Sequence, residues 1–364
     1  MPIEHFDLAE RFMLAEAASG YERRMAHLLK ESLEPLADEV CIDRIGNVIA
    51  KITGADSASP VVMIFAHMDQ LGFIVRKIEE SGLIQVDRLG GIPEKVLPAL
   101  QVSVANLDGQ YLPGVIGVKS HHATAAEEKY QVDAVTSLFV DIGAPDKRRV
   151  LDAGVRVGCP IIYKPSFQRL MGDRVCGTAV DDRCGLVAMV DVAQRLREER
   201  PRSTVCLVGG VMEEFNLRGA VIAARSVAPD IAICLDITLS GDTPDLASKY
   251  DVRLGKGPTV TLYNFHGRGT LNGNLAHRGL YRLALSCAER EGLGIQEFSS
   301  IGLLTETAYI QLEREYVACL DMGFPARYAH SPIECCDMKD VKGLAAVVAS
   351  MILAIGPDFP LGRY

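Results

Sequence analysis

Histidine and carboxylate side chains stand at the ends of apolar runs in this chain, where they could bind metal ions. His67 and Asp69 follow the run VVMIFA, Glu213 and Glu214 follow LVGGVM, and Asp236 interrupts IAICLDIT. In open α/β sheets, binding sites form outside the carboxyl ends of the strands. We therefore expect these side chains to meet at one edge of a buried sheet.

Two further residues extend this set. Asp181 belongs to an Asp-Asp-Arg motif before a helix, and His330 lies in a connection after the last predicted strand. Imidazole and carboxylate ligands without cysteine suit divalent ions such as Zn²⁺, Co²⁺ or Mn²⁺. A carboxylate can bridge two ions through its two oxygens, and Asp181 is the candidate. The residue types therefore predict a metallohydrolase with two divalent metal ions per subunit.

Each of these motifs also has an ordinary structural explanation. Aspartate is favoured at the start of a helix, so Asp181 alone does not indicate a metal site. A histidine such as His330 in a proline-containing connection is more often structural. The apolar surroundings of Asp236 and the adjacent acids Glu213 and Glu214 favour metal binding, because buried carboxylates need partners.

The elements around these motifs predict an α/β domain. Apolar runs at 61–66, 203–211 and 231–237 are typical of strands buried on both faces, and helical periodicity covers 184–197 and 337–355. A capping box and a strand turn are also predicted. The remaining predictions are helices at 7–18, 218–227 and 275–291, a strand at 316–321, the Gly46-Asn47 turn, and a capping box from Ser19 to Glu22.

A second module interrupts this α/β pattern. Residues 74–167 show short alternating runs with many glycines and prolines, which predict a β-rich barrel or sandwich. At 364 residues the chain exceeds the size at which one core usually stops growing. We therefore predict a discontinuous catalytic domain of residues 1–73 and 168–364, with a β-rich domain inserted at 74–167.

The bulk composition disfavours several kinds of partner. The net charge of −9 leaves no basic stripe for a nucleic-acid backbone or an anionic membrane surface. No apolar stretch has the length of a transmembrane helix, and the acidic N-terminus does not resemble a signal peptide. The ten cysteines lie mostly in apolar runs, as free buried thiols do. We expect a cytoplasmic protein that binds neither nucleic acid nor membrane.

Seven segments of this chain together resemble one enzyme family. They are AHMDQLGFIV, VDIGA, TAVDDRCG, EEFNLRGA, PDIAICLDITLSGDTP, LGKGP and PARYAHSPIE, in this order from residue 66 to residue 334. The chain resembles the tetrahedral aminopeptidases, which include glutamyl and deblocking aminopeptidases once mislabelled as cellulases. The resemblance implies a zinc-peptidase-like sheet, a PDZ-like inserted domain that mediates dimerisation, and assembly into a tetrahedral dodecamer.

The same resemblance implies a role for each candidate residue. One metal would be bound by His67, Asp181 and Asp236, and the other by Asp181, Glu214 and His330, with Asp181 bridging. The enzyme would then release the N-terminal residue of short peptides through a water that bridges the two metals.

Two further residues would support this reaction. Glu213 would be the general base that takes a proton from the bridging water. Asp69 would orient the imidazole of His67, as carboxylates often do for metal-binding histidines.

This sequence departs from the family pattern at three places. Gln70 replaces the usual Glu, Phe215-Asn216 replaces a hydrophobic residue and Gly, and residues 304–307 replace Gly-Thr-Asp-Ala. None of these changes removes a predicted ligand, although the last could alter specificity. The predicted substrate contacts are Arg183, Glu306, His121 and His122.

Other functions are compatible with the same residues. A related metallohydrolase would act on N-acyl amino acids or other small amides. A catalytically silent, oligomeric binding protein is a third possibility, but the complete ligand set argues against it. A glycosidase is disfavoured, because the acids are better explained as metal ligands than as a pair flanking a sugar.

Overall fold

The computed structural model of this chain describes residues 4–266 and 273–363, and no helix in those ranges is long and apolar enough to cross a membrane. The helices are α1 (His5–Met13), α2 (Arg23–Leu33), α3 (Lys147–Asp152), α4 (Val180–Glu198), α5 (Gly219–Val227), α6 (Arg278–Arg290), α7 (Thr307–Ile310) and α8 (Met338–Ala354). The first nine strands are β1 (Glu39–Ile42), β2 (Val48–Ile52), β3 (Val62–His67), β4 (Gly72–Ile78), β5 (Ile84–Leu89), β6 (Gln101–Ala105), β7 (Tyr111–Ile116), β8 (Phe139–Asp141) and β9 (Pro160–Tyr163). The other strands are β10 (Phe167–Arg169), β11 (Arg174–Gly177), β12 (Val205–Gly210), β13 (Ile231–Leu239), β14 (Thr259–Phe265), β15 (Gly273–Leu275), β16 (Gln296–Ile301), β17 (Ala318–Arg327) and β18 (Glu334–Asp337).

Twelve strands form one mixed sheet. Nine of them follow the order β1-β2-β12-β3-β13-β17-β18-β11-β10, and β14 joins β15 and β16 to β17. The central strands β12, β3, β13 and β17 are parallel, while β2, β14 and β18 pair with them in antiparallel fashion. The carboxyl ends of the four parallel strands therefore point to the same edge of the sheet, as the sequence predicts.

Strand β3 shows why this sheet needs helices on both faces. All six of its residues are buried. Val62, Ile64 and Ala66 belong to the core shared with α1, α2, α4, α6 and α8, whereas Met63 and Phe65 pack with α5 and α7. A strand covered on both sides is apolar throughout rather than alternating. The predicted fold class, a mixed sheet sandwiched by helices, is confirmed.

The chain between β3 and β10 forms a separate β-barrel. Strands β4-β5-β8-β7-β6-β9 close into an antiparallel barrel. Its interior contains Phe73, Val86, Val104, Val140 and Ile161, which belong to a buried cluster distinct from the core of the large sheet. A β-rich barrel was predicted in this part of the chain, and the barrel confirms that part of the fold class.

The capping box predicted before α2 is wrong. The Ser19 hydroxyl does not cap the helix; it donates to Asp69 Oδ2 at 2.5 Å. Glu22 accepts hydrogen bonds from the main-chain N–H groups of Gly20 and Met212, at 2.7 and 2.9 Å. Both side chains are buried, and they are used to join the N-terminal segment to the loops after β3 and β12.

The first helix is also shorter than predicted, ending at Met13 rather than at residue 18. The residues that follow pair with the loop after β3 instead. Ala18 forms a parallel bridge with Gln70, and the Gln70 N–H donates to the Ala17 carbonyl at 3.0 Å. Tertiary main-chain pairing therefore overrides the local helical preference in this segment.

Candidate metal centre

The predicted metal ligands and general base lie together at the carboxyl edge of the parallel strands. They line one cavity of about 750 Å³ between the large sheet and the barrel. In chain order they are His67 at the end of β3, Asp181 in the first turn of α4, Glu213 and Glu214 after β12, Asp236 in β13, and His330 after β17.

Asp181 occupies the middle of this set. Its Oδ1 lies 2.9 Å from His67 Nε2, and its Oδ2 lies 3.5 Å from His330 Nε2. His330 Nε2 is also 3.7 Å from Glu214 Oε1. The two oxygens of one carboxylate thus face two different imidazoles, which is the arrangement expected of a residue that bridges two ions.

The beginning of α4 is irregular and helps to place these groups. Asp181 and Asp182 have non-helical backbone angles, with φ/ψ of −79°/104° and −122°/37°. The Asp182 carboxylate turns back into the protein, accepting from the His67 N–H at 3.2 Å and the Gly185 N–H at 3.1 Å. Asp182 thereby fastens the start of the helix to the end of β3.

The histidine nitrogens and carboxylate oxygens in and beside this cavity form three close groups. The members of each group offer donor atoms within 4.8 Å of one another. Asp181, Glu214 and His330 form one group, as the resemblance implies for one metal. His67 and Asp236, by contrast, group with Asp182 rather than with Asp181. The groups are His67–Asp182–Asp236, His67–Glu213–Glu214 and Asp181–Glu214–His330.

The electrostatics of the site fit bound cations. Burial and the neighbouring Asp181 carboxylate raise the pKa of Asp236 to about 8. Burial also raises the pKa of Glu214 to about 7, with His330 opposing and Asp181 adding to the increase. The pKa of Glu213 lies well above its usual range, mainly because this carboxyl is buried. So many adjacent buried acids are costly unless positive charge compensates them.

Asp69 lies beneath the cavity and holds the neighbouring segments together. Its carboxylate accepts from the main-chain N–H groups of Glu213 at 2.9 Å and Glu214 at 3.1 Å. It also accepts from the Ser19 hydroxyl. Its Oδ1 is 3.5 Å from His67 Nδ1, whereas its main-chain carbonyl is only 3.1 Å away. The closer contact to the imidazole is therefore the carbonyl of Asp69, and the carboxylate positions the two glutamates.

Glu334 belongs to the site, although it is not among the residues predicted from the sequence. It is buried at the start of β18. Its Oε2 accepts from the Asp181 N–H at 3.1 Å, and its Oε1 accepts from the His330 N–H at 2.6 Å. The sequence feature that indicates such a role is a single acid between Ile333 and two cysteines in the IECC segment. A carboxylate in such surroundings needs partners.

The predicted substrate contacts do not line the cavity in the described chain. Arg183 is fully buried and donates from Nη2 to Gln70 Oε1 at 3.2 Å. Glu306 is also buried, and it accepts from the Ala220 N–H at the start of α5 at 2.7 Å. Burial raises the pKa of Glu306 to about 8. Both residues thus lie behind the site rather than in it.

His121 and His122 lie in a 3₁₀ turn of the barrel, and both are exposed. Neither histidine lines the cavity of its own chain. Their contact with substrate stays a prediction.

Comparison with known proteins shows the same fold and identifies the family. The family model for the M42 glutamyl aminopeptidases matches residues 46–347. The chain is 31% identical to the lysyl aminopeptidase of Pyrococcus furiosus, over 97% of this chain and 99% of that protein.

Solved structures show the same similarity. An aminopeptidase of the archaeon Desulfurococcus kamchatkensis has a TM-score of 0.91 and 32% identity, over 98% of this chain and 96% of that one. The TET1 peptidase of Pyrococcus horikoshii, which can assemble into a tetrahedron or a large octahedral shell, has a TM-score of 0.85 and 26% identity, over 97% of this chain and all of that one. With the family model matching residues 46–347 and the fold matched over most of its length, this chain belongs to the M42 glutamyl aminopeptidase family and is a hydrolase of peptide bonds.

Proposed function

We propose that this protein is a two-metal aminopeptidase that releases the N-terminal residue of short peptides. The observation that carries the proposal is the position of Asp181, whose two carboxylate oxygens face His67 and His330 on opposite sides. One metal would be held by His67, Asp181 and Asp236, and the other by Asp181, Glu214 and His330, with Asp182 close to the first position. The nitrogen and oxygen donors suit Zn²⁺, Co²⁺ or Mn²⁺.

When bound, two such ions supply Lewis acidity that activates a water and polarises the scissile carbonyl. Glu213 would take the proton of the attacking water and return it to the leaving amine. It lines the cavity, and Asp69 fixes its main chain. A carboxylate held at this place can accept a proton from a water and pass it on to a leaving amine. We therefore assign Glu213 as the general base.

The metal centre favours a substrate with a free amine. Three of the four carboxylates that line the cavity, those of Asp181, Glu214 and Asp236, are the proposed metal ligands, and the fourth, Glu213, is the proposed base. The nitrogen lone pair of an unprotonated N-terminal amine would be available to a bound metal, whereas the amide nitrogen of an N-acyl amino acid would not. The aminopeptidase therefore stands ahead of the amide hydrolase as the proposed function.

We also propose that the barrel is an inserted domain, with boundaries at 74–167, that joins subunits into dimers and a tetrahedral dodecamer. Support comes from the related TET1 peptidase and its closed shells. A cytoplasmic location is proposed because all ten cysteines are free thiols and eight of them are buried.

The proposal is tested by replacing the base while leaving the metal ligands intact. Purified protein supplied with Zn²⁺, Co²⁺ or Mn²⁺ is assayed on aminoacyl-anilides, short peptides and N-acetylated counterparts, with EDTA as the metal-free control. Glu213→Gln should lower kcat by about 10²–10⁴-fold without reducing metal content. Glu313→Gln, an acid paired with Arg225 outside the cavity, is the matched control and should retain activity.

Three outcomes would contradict the proposal. Full activity of Glu213→Gln would remove the base assignment. Cleavage of only the N-acetylated substrates would favour the amide hydrolase. No turnover with two metals bound per chain would favour a binding protein.

A further inference from the structure

One wall of the cavity is apolar. It is formed by Ile237 and Leu239 from β13, Phe298 from β16, and Leu303 and Leu304, which follow β16. The barrel, through Gly91 and its neighbours, and the segment that carries His330 also line the cavity. The metal ligands line this same cavity, so a substrate bound to the metals would contact the apolar wall.

The apolar wall is part of the large sheet. Ile237 and Leu239 are two residues apart on β13 and so face the same side of the strand. Phe298 on β16 lies opposite Thr261 on β14, and β14 pairs with β17. Phe298 also packs against the Tyr250 ring, with centroids 5.1 Å apart. These contacts hold the wall in place beside the metal centre.

Two polar side chains beside this wall, those of Thr305 and Asn264, are already hydrogen-bonded. Thr305 Oγ1 donates to Asp321 Oδ1 at 2.9 Å, and Asn264 Nδ2 donates to Asp321 Oδ2 at 2.7 Å. Asn264 Oδ1 accepts from the Asn274 N–H at 3.0 Å. Asp321 itself is 3% exposed and does not line the cavity. Its carboxylate is therefore shielded and is not available to a substrate side chain.

Few charged groups remain for a substrate to contact. Apart from the proposed metal ligands and Glu213, the described lining residues include two basic side chains, those of Arg88 and His266, and no further carboxylate. Arg88 belongs to barrel strand β5, and its guanidinium is paired with Glu94 at 3.1 Å. It is thus on the barrel side of the cavity and not in the apolar wall.

We infer that this wall receives the side chain of the peptide's first residue and selects uncharged, apolar side chains such as Leu, Ile, Met and Phe. This inference rests on the proposed aminopeptidase function. An ionised Glu or Lys side chain would lose water against Leu239, Phe298 and Leu304, none of which offers a counter-ion. A branched or aromatic side chain would instead bury apolar surface against Leu239, Phe298 and Leu304. The selectivity therefore differs from that of the lysyl aminopeptidase to which the chain is similar.

The test is a comparison of kcat/KM for Leu-, Phe-, Glu- and Lys-anilides, on the full-length metal-loaded protein. Leu or Phe should be preferred over Glu and Lys by about 100-fold. Leu304→Lys should raise the Glu-to-Leu ratio of kcat/KM by about tenfold or more, because the stem of lysine can lie along the wall with its ammonium group in the cavity. Leu304→Met is the matched control, and its ratio should stay near that of the wild type.

Other outcomes of the substrate comparison would contradict the apolar selectivity. A wild-type preference for Glu would overturn the inference, and its loss in Arg88→Ala or in His266→Ala would identify the selecting residue. A preference for Lys would overturn it as well. Release from none of the four substrates would overturn the proposed function and this inference with it. Release with the wrong preference would overturn this inference alone, so the two failures are distinguishable. Metal content and circular dichroism of each variant confirm that the comparison is made between folded, loaded proteins.

Discussion

At the scale of single residues, Glu334 determines how Asp181 and His330 are placed. One carboxylate accepts the main-chain N–H groups of both residues, which are far apart in sequence. Glu334→Gln keeps the shape of the side chain but turns one acceptor into a donor that faces an N–H group. We expect weaker metal binding by about 10–100-fold, as for other residues that position metal ligands.

Equilibrium dialysis with Zn²⁺ or Co²⁺, followed by elemental analysis, measures this effect. Glu313→Gln serves again as the control, because its side chain is partly exposed and lies outside the cavity. Unchanged affinity at both metal positions in Glu334→Gln would show that the main-chain contacts do not position the ligands.

The sequence identifies residues of this site better than it identifies their partners. His67 and Asp236 are visible because polar groups stand out in apolar strands. The link between Glu334 and Asp181 spans 153 residues and uses a main-chain N–H, so no local spacing reveals it. Asp69 illustrates the same limit, since its spacing suggests a contact with His67 but not the hydrogen bonds it accepts from Glu213 and Glu214.

At the scale of elements, the pair of Arg327 and Asp242 ties the end of β17 to the segment after β13. The guanidinium donates twice to the carboxylate, with both distances 2.7 Å. Although burial opposes it, this pairing lowers the pKa of Asp242 to about 2 from an ordinary value of 3.8. A carboxyl group whose pKa is lower in the folded state stabilises the fold at pH values above its pKa in the unfolded state. That stabilisation is lost as the pH falls from about 4 towards 2.

Asp242→Asn should therefore lower the free energy of unfolding by on the order of 1–2 kcal/mol near neutral pH, after allowance for solvent screening. The difference from wild type should shrink once the pH falls below about 4. Thermal unfolding at several pH values measures it. Asp7→Asn removes an exposed pair with Arg169 and should change stability little at any pH. A constant difference for Asp242→Asn down to pH 2 would contradict the ionic explanation.

The predicted elements are accurate where burial is complete and fail at the sheet margins. The strands β3, β12 and β13 were recognisable as continuous apolar runs. Strand β14 was not predicted, because its sequence mixes threonine, asparagine and apolar residues. Strand β17 extends to Arg327, past the predicted end at 321 and through Pro325. That proline is tolerated because β14 pairs only as far as Gly323 and β18 begins pairing at Ala326.

At the scale of the whole molecule, the barrel contributes residues to the cavity of the catalytic domain. It supplies Gly91 and Ile92 to the cavity, and the Gly91 carbonyl lies 2.6 Å from His330 Nδ1. A metal-binding histidine usually donates its second ring N–H to such an acceptor. The barrel therefore contributes to the proposed site by orienting His330, although all the proposed metal ligands lie outside the barrel strands.

The outer surface of the barrel gives the prediction for assembly. Tyr130 is 93% exposed, Val118 61% and Val132 52%, all in the segment between β7 and β8. Exposed apolar groups gathered in one segment mark protein interfaces more often than free surface.

If the barrel joins subunits, light scattering should give the wild type a mass of two or more times 39.5 kDa. The double variant Tyr130→Glu, Val132→Glu should shift to a smaller species, because two buried unpaired charges oppose association. Ile222→Glu, which changes an exposed apolar residue on α5, is the control and should keep the wild-type mass. A wild-type mass of 39.5 kDa, or an unchanged mass of the double variant, would contradict a role of this barrel segment in assembly. The contact of the barrel with His330 would then be the one link to activity that the described residues show.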